Sequence, residues 1–221
     1  MNEIKISASV LGCDLSAIGA ETAKAIASGV DWIHFDVMDG HFVENISFGA
    51  LLQKAIWAKK RCFMDTHLMV SKPEEQLGFF AESGSDLITF HIESDSDADH
   101  TINKLHQMGL KAGLAIRPDT PAEAVFPYLE KLELVLVMTV EPGYGGQGFL
   151  SYTLPKIARI RERANEVNPD LFIEVDGGIN GDTAPLVIKA GADVLVSGTY
   201  LFQAKDMFSA LSTLRGKKRI S

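Results

Sequence analysis

Short β-branched or apolar runs alternate with longer stretches of helical period eight times along this chain, and no other feature restricts its fold as much. The strand-like runs cover 5–11, 32–37, 63–69, 87–91, 111–116, 134–138, 172–175 and 194–197. The helical stretches fall near 18–28, 50–60, 73–83, 97–108, 122–129, 153–167, 183–190 and 207–214. Spread over 221 residues, each strand and its helix have about 28 residues, close to the least that a right-handed parallel crossover can use. Almost nothing remains for insertions, and no linker or low-complexity tract marks a second domain. Glycine follows four of the helical stretches, at Gly29, Gly84, Gly109 and Gly191, with the next strand three or fewer residues on. A helix that ends left-handed and turns at once into a buried parallel strand leaves this pattern.

Two α/β architectures compete. An open doubly wound sheet usually carries a G-x-G-x-x-G turn after its first strand, whereas here Leu11 is followed by Gly12-Cys13-Asp14. The reactive side chains stand instead at the ends of several strands. The expected fold is therefore α/β, a single (β/α)8 TIM barrel spanning residues 1–221, with its catalytic site at the C-terminal ends of the strands.

Composition narrows the partners. Lysine and arginine number 21 against 29 aspartates and glutamates, a formal charge of −8, which argues against a nucleic-acid partner. The longest apolar runs, such as 134–140, are far too short to span a membrane, and the opening MNEIKISASV does not read as a leader, so the expected location is cytoplasmic. In that compartment Cys13 and Cys62 are expected to stay reduced. The basic run at 215–219 reads as a solvated tail. A barrel of this size needs no structural metal, so any metal is expected to be catalytic.

His34 and Asp36 lie two apart at the end of the second strand and share a face; a charged pair there suits the mouth of a barrel. The third strand ends in Asp65-Thr66-His67-Leu68-Met69 and the seventh in Glu174-Val175-Asp176-Gly177-Gly178. His34, Asp36, His67 and Asp176 thus offer two nitrogen and two oxygen donors for one divalent ion, zinc foremost, with iron(II), manganese or cobalt also suited. Singly, each reads more readily as a hydrogen-bonded core residue. Four together at strand ends reverse that preference. Asp65 faces the same way as His67 deeper in the barrel and is a weaker candidate. His91, two residues before Glu93 at the end of the fourth strand, fits core and site alike, while His100 and His106 belong to an outer helix facing solvent.

The loops after strands six, seven and eight are rich in glycine: 141–148 (EPGYGGQG), Gly177-Gly178 and Gly198-Thr199. Such loops are either tight turns or a backbone cradle for an anion, and three of them side by side favour a phosphate site. Met38, Met69 and Met138 each close a strand. They either fill gaps in the core or form an apolar wall that keeps water from a reactive intermediate.

The segments 36–43 (DVMDGHFV), 66–70 (THLMV), 137–147 (VMTVEPGYGGQ) and 174–178 (EVDGG) resemble the ribulose-phosphate 3-epimerase family, and the likeness runs from 6–11 (ISASVL) to 196–199 (VSGT). The resemblance implies a metal-dependent isomerase of the pentose phosphate pathway, interconverting D-ribulose 5-phosphate and D-xylulose 5-phosphate on a (β/α)8 barrel. Its metal ligands fall on His34, Asp36, His67 and Asp176, and its two acid/base carboxylates on Asp36 and Asp176. Ser9 and His67 match residues near the metal and substrate, while Gly143, Tyr144, Gly145, Gly146, Gly177, Gly178, Gly198 and Thr199 match the phosphate-binding loops. The family commonly has proline where Ala8 and Glu44 stand and serine where Thr199 stands; Glu44 could alter sugar contacts.

The nearest alternative is a 3-epimerase of a hexulose phosphate such as D-allulose 6-phosphate. A lysine-dependent lyase lacks its strand-end lysine, and a mere binding module has no need of two carboxylates on a metal. Phe79 and Phe80 on an outer helix leave a homo-oligomer open as a further expectation.

Overall fold

The computed structural model describes residues 3–58 and 62–216; the end of the helix expected at 50–60 and most of the basic run at 215–219 lie outside the described residues. Eight strands, β1 (Lys5–Ser9), β2 (Trp32–Met38), β3 (Phe63–Met69), β4 (Leu87–His91), β5 (Lys111–Ile116), β6 (Leu134–Met138), β7 (Phe172–Asp176) and β8 (Val194–Ser197), close into a barrel in sequence order. Every neighbouring pair is parallel, and β8 closes on β1. Which side chains can carry chemistry follows from the period of two along each strand. Ile33, Phe35 and Val37 of β2 point outward into the layer shared with the helices, as do Ile173 and Val175 of β7. Each such apolar side chain, once buried, contributes about 1.5–3 kcal/mol, so this outer layer is the main source of stability.

The other parity faces the barrel axis and changes character from bottom to top. Trp32 stacks on Phe63 at 4.6 Å and meets Phe172 edge-on at 5.6 Å, so the three aromatics plug the N-terminal end. One step up the same strands stand His34, Asp65 and Glu174, all buried, and a further step brings Asp36, His67 and Asp176 to the mouth.

The helices on the outside are α1 (Ile18–Ser28), α2 (Ala50–Trp57), α3 (Leu77–Glu82), α4 (Ala98–Gln107), α5 (Leu154–Val167), α6 (Ala184–Ala190), α7 (Thr199–Phe202) and α8 (Met207–Leu214). α1 and α6 stop on Gly29 and Gly191 at φ of 95° and 111°, a left-handed conformation that returns the chain to the next strand. Three expectations are corrected. The stretch at 122–129 is not α-helical: Ala122–Lys131 forms a 3-10 helix, because Pro127 in its middle lacks an N–H and crowds the carbonyl four residues back. The stretch at 73–83 splits into a 3-10 turn at Pro73–Glu75 and the six-residue α3. The first strand stops at Ser9 rather than residue 11, since Val10–Gly12 turn into a 3-10 helix. α7, absent from the expected elements, begins directly after Gly198.

Candidate active site

The ends of β2, β3 and β7 bring His34, Asp36, His67 and Asp176 together, with one donor atom of each within 4.8 Å of the others. Asp36 Oδ1 lies 3.2 Å from His34 Nε2 and 3.1 Å from His67 Nδ1, and Asp176 Oδ2 lies 4.0 Å from His34 Nε2. Metal bonds of about 2.0–2.1 Å in a tetrahedral arrangement place neighbouring donors roughly 3.3 Å apart, so the spacing fits a divalent ion with little movement. Ser9 at the end of β1 donates its hydroxyl to Asp36 Oδ2 at 2.8 Å.

The electrostatics of the cluster also suit a cation. Burial opposes ionisation of Asp36, but the adjacent His34 and His67 outweigh it and hold the carboxyl well below its usual range. Asp176 goes the other way: burial and the Asp36 charge push it up to about 6. Burial disfavours a charged His34 ring, yet Asp65 and Asp36 together raise its affinity for a proton well above the usual value. Among the described residues these carboxylates find their ion pairs only on His34 and His67. A group of acids short of positive charge, with soft nitrogen donors between them, is a good host for a divalent transition metal.

Behind the two histidines stands a second set of partners. Asp65 accepts from His34 Nδ1 at 2.6 Å and from the Ser7 hydroxyl at 2.8 Å, which leaves His34 Nε2 directed at the cluster. Asp65 therefore stands behind His34, on the side away from the cluster. Neither oxygen of the buried Glu174 has a hydrogen-bond partner by distance and angle, and burial and the Asp65 charge push its pKa well above the usual range. His91 resolves in favour of the site's surroundings: its Nε2 is 2.9 Å from His67 Nε2 and its Nδ1 is 3.0 Å from Glu93 Oε2. Burial drives His91 down to about 4, and despite its own burial Glu93 is drawn down to about 2, by His91 first. His100 and His106 are exposed on α4, as expected.

Above the cluster opens a cavity of about 310 Å³, whose floor includes Ser9, Asp36 and Asp176 and whose rim includes residues 143–146, Gly177, Gly178, Gly198 and Thr199. Met38, Met69 and Met138 all line this cavity, with Met38 and Met69 packed in one apolar cluster and Met138 in another. Gly177 has φ of 118°, and a Cβ there would fall 2.4 Å from Val140 Cγ2; only glycine lets the chain turn after Asp176 so tightly. Three contacts escaped the sequence reading. Thr139 fastens the end of β7, with its N–H 2.7 Å from the Asp176 carbonyl and its hydroxyl 2.6 Å from the Gly177 carbonyl. Asn45 reaches across the mouth to donate to the Gly143 carbonyl at 3.0 Å. Arg117 lies over the Phe42 ring at 4.4 Å and donates to the Phe42 carbonyl at 2.9 Å. Thr139 and Arg117 directly follow a strand end, which does not by itself name the partner, and Asn45 lies well into the loop after β2.

The model of the ribulose-phosphate 3-epimerase family matches residues 5–202, nearly the whole barrel. The chain belongs to this family. Ribulose-phosphate 3-epimerase from Bacillus subtilis is 42% identical over 97% of this chain and 100% of its own length. The enzyme of the same name from Schizosaccharomyces pombe is 39% identical over 97% and 94%. These epimerases are isomerases, and the family places this chain in that class. Among solved structures, 3-hexulose-6-phosphate synthase from Salmonella typhimurium superposes with a TM-score of 0.70 over 97% of this chain and 98% of its own, at 18% identity, and so speaks for the barrel fold alone. No helix of the described residues is long and apolar enough to cross a membrane.

Proposed function

We propose that this epimerase interconverts D-ribulose 5-phosphate and D-xylulose 5-phosphate with one divalent ion, zinc foremost, held by His34, Asp36, His67 and Asp176. The observation that carries this reading is the pair of carboxylates, Asp36 and Asp176, on the floor of one cavity whose rim is a set of glycine loops. Inversion at a carbon beside a ketone requires removal of its proton from one face and return of a proton to the other, so two acid/base groups must flank the substrate. Asp36, kept ionised between two imidazoles and fixed by Ser9, takes the C3 proton in the ribulose-to-xylulose direction. Asp176, whose carboxyl burial and the Asp36 charge push up to about 6, returns one to the opposite face. An ion held by His34, Asp36, His67 and Asp176 would supply positive charge to stabilise the enediolate formed between the two transfers.

At the other end of the cavity the backbone around residues 143–146, Gly177, Gly178, Gly198 and Thr199, together with Tyr144, receives the phosphate, and Ser9 borders the sugar, whereas His67, expected beside the substrate, is fully buried and does not line the cavity. Met38 and Met69, buried with Val43 beside the half-buried Phe42, and Met138 elsewhere in the lining exclude water without offering a competing proton. The test is the ratio of kcat/KM for D-ribulose 5-phosphate and D-allulose 6-phosphate with zinc present. A clear preference for the pentulose is expected, and a preference for the hexulose overturns the substrate assignment.

A further inference from the structure

We propose that Asn45 is a positioning residue for the phosphate end of the substrate: it ties the glycine loop after β6 to the loop after β2, and so holds that loop at a fixed separation from Asp36. This role rests on the phosphate reading above. Tyr144, Gly145 and Gly146 are exposed, while Gly143 at the root of their loop is buried. Gln147 donates to the carbonyls of Glu141 and Tyr144 at 2.6 and 2.8 Å, which closes the loop on itself without fastening it to the barrel. Among the described residues, one hydrogen bond reaches 141–148 from elsewhere in the fold: Asn45 Nδ2 donates to the Gly143 carbonyl at 3.0 Å, across 98 positions of sequence. The two loops also touch there, since a Cβ on Gly143 would stand 3.3 Å from Val43 Cβ.

The anchor is itself held in place. Asn45 Oδ1 accepts from the Ile46 N–H at 2.9 Å, which turns the NH2 end of the amide toward Gly143, and the Asn45 carbonyl accepts from the Gly40 N–H at 3.0 Å. Two residues on, the Ser47 hydroxyl donates to the Asp36 carbonyl at 2.6 Å and accepts from the Met38 N–H at 3.0 Å. A continuous path therefore runs from the backbone of Asp36 through Ser47 and Asn45 to Gly143. Asp36 and the glycine rim serve opposite ends of one substrate, so their separation must match its length. A glycine-rich segment has more conformations to lose than any other when it closes on an anion, and a fixed root removes part of that cost before the substrate arrives.

Two variants of the full chain remove the donor in different ways. Asn45→Asp keeps an acceptor for the Ile46 N–H and adds a charge; Asn45→Leu keeps the approximate size and adds none. Both are expected to raise KM for D-ribulose 5-phosphate and the inhibition constant of inorganic phosphate together, about 3- to 10-fold, which is the worth of one neutral hydrogen bond. Turnover at saturating substrate and zinc affinity, measured by competition with a chromophoric chelator, are expected to change little. A fold that had merely loosened would lower zinc affinity as well.

Each outcome has one meaning. Unchanged KM and phosphate inhibition in both variants overturn the tie and leave the phosphate reading intact. A rise in N45D alone reports the added charge and overturns the tie, as does a fall in kcat at unchanged KM or a loss of zinc affinity that matches the rise in KM. A wild-type enzyme that inorganic phosphate does not inhibit overturns both the tie and the phosphate reading. Should neither variant fold, proton exchange at the Asn45 side-chain amide of the wild type decides alone: exchange slower than at the exposed Asn103 supports the tie, and equal exchange overturns it.

Discussion

Replacing Asp176 by Asn tests the two-carboxylate mechanism at the group with the least support from sequence context. The side chain keeps its size, and the end of β7 remains fastened by Thr139, whose N–H and hydroxyl lie 2.7 and 2.9 Å from the Asp176 carbonyl, so the barrel is expected to fold as before. What disappears is a group able to exchange a proton at the cavity floor. General acid/base groups supply about 10²–10⁴-fold, and a loss near 10³-fold corresponds to about 4 kcal/mol of barrier. Asp176 is also a member of the ligand cluster, so zinc must be held at saturation and its occupancy measured. The reaction is followed by NMR in deuterated buffer, reading both xylulose 5-phosphate formed and deuterium at C3 of recovered ribulose 5-phosphate. Asp36 remains next to His34 and His67 and can still take the C3 proton, so exchange into substrate outlasts epimerisation. A D176N enzyme that epimerises at the wild-type rate with its metal in place refutes the assignment of Asp176 as the second acid/base group.

Three further perturbations probe separate parts of the site. Gly178→Ala adds a Cβ that would sit 2.7 Å from the backbone nitrogen of Phe149 at a residue with φ of 68°; the displaced loop should raise KM roughly 10- to 100-fold, as loss of one charged hydrogen bond does, while kcat changes little, and an unchanged KM refutes its place in the phosphate cradle. Asp65→Asn leaves the Ser7 contact possible but removes the charge behind His34 Nδ1, and zinc affinity should drop about 10- to 100-fold in a chelator titration; equal affinity refutes the supporting role. His91, whose folded pKa of about 4 is below its usual 6.5, stabilises the fold fully above pH 6.5 and loses that contribution as pH falls through 4. Its share of the slope is at most about 1.4 kcal/mol per pH unit, so denaturant unfolding in chelator should show a shallower acid slope for His91→Phe than for wild type, and identical slopes refute it.

The fold and the candidate cluster were legible for the same reason. A strand period of two, repeated in eight short units, puts Trp32, His34 and Asp36 on one face and Ile33 and Phe35 on the other, and the inward face is where polar residues collect. The spacing His34-x-Asp36 therefore placed this pair at the mouth from the residues alone. The spacing His91-x-Glu93 has the same form on β4, yet β4 gives no ligand to the cluster, because on that strand the histidine meets the back of His67 rather than the face turned to Asp36. Which inward residues meet depends on the stagger between neighbouring strands, here Asp36 opposite His67 and Asp65 opposite Leu87, and stagger is not written in a single strand. The 3-10 helix at Ala122–Lys131 was missed although Pro127 stood in plain view; the apolar spacing around it matched a helical period, and the missing N–H decided the geometry.

The net charge of −8 bears on how the substrate is held. A phosphate dianion gains nothing from the field of such a chain as a whole, and Asp36 and Asp176 at the cavity floor repel it further. Binding must then be divided along the cavity. In the proposed reading the glycine rim would supply oriented backbone dipoles at one end, where no side-chain charge is needed, and a cation among His34, Asp36, His67 and Asp176 would turn the acidic floor into a neutral or positive one at the other. The separation has a chemical consequence: the same carboxylates that must exchange protons with carbon are also the ones the cation would discharge. Their basicity is consequently set less by themselves than by what stands behind the histidines. Asp65 with Ser7 on one side, and His91 with Glu93 on the other, determine how strongly each imidazole binds the ion, and thereby how much of its charge remains to be shared with Asp36 and Asp176.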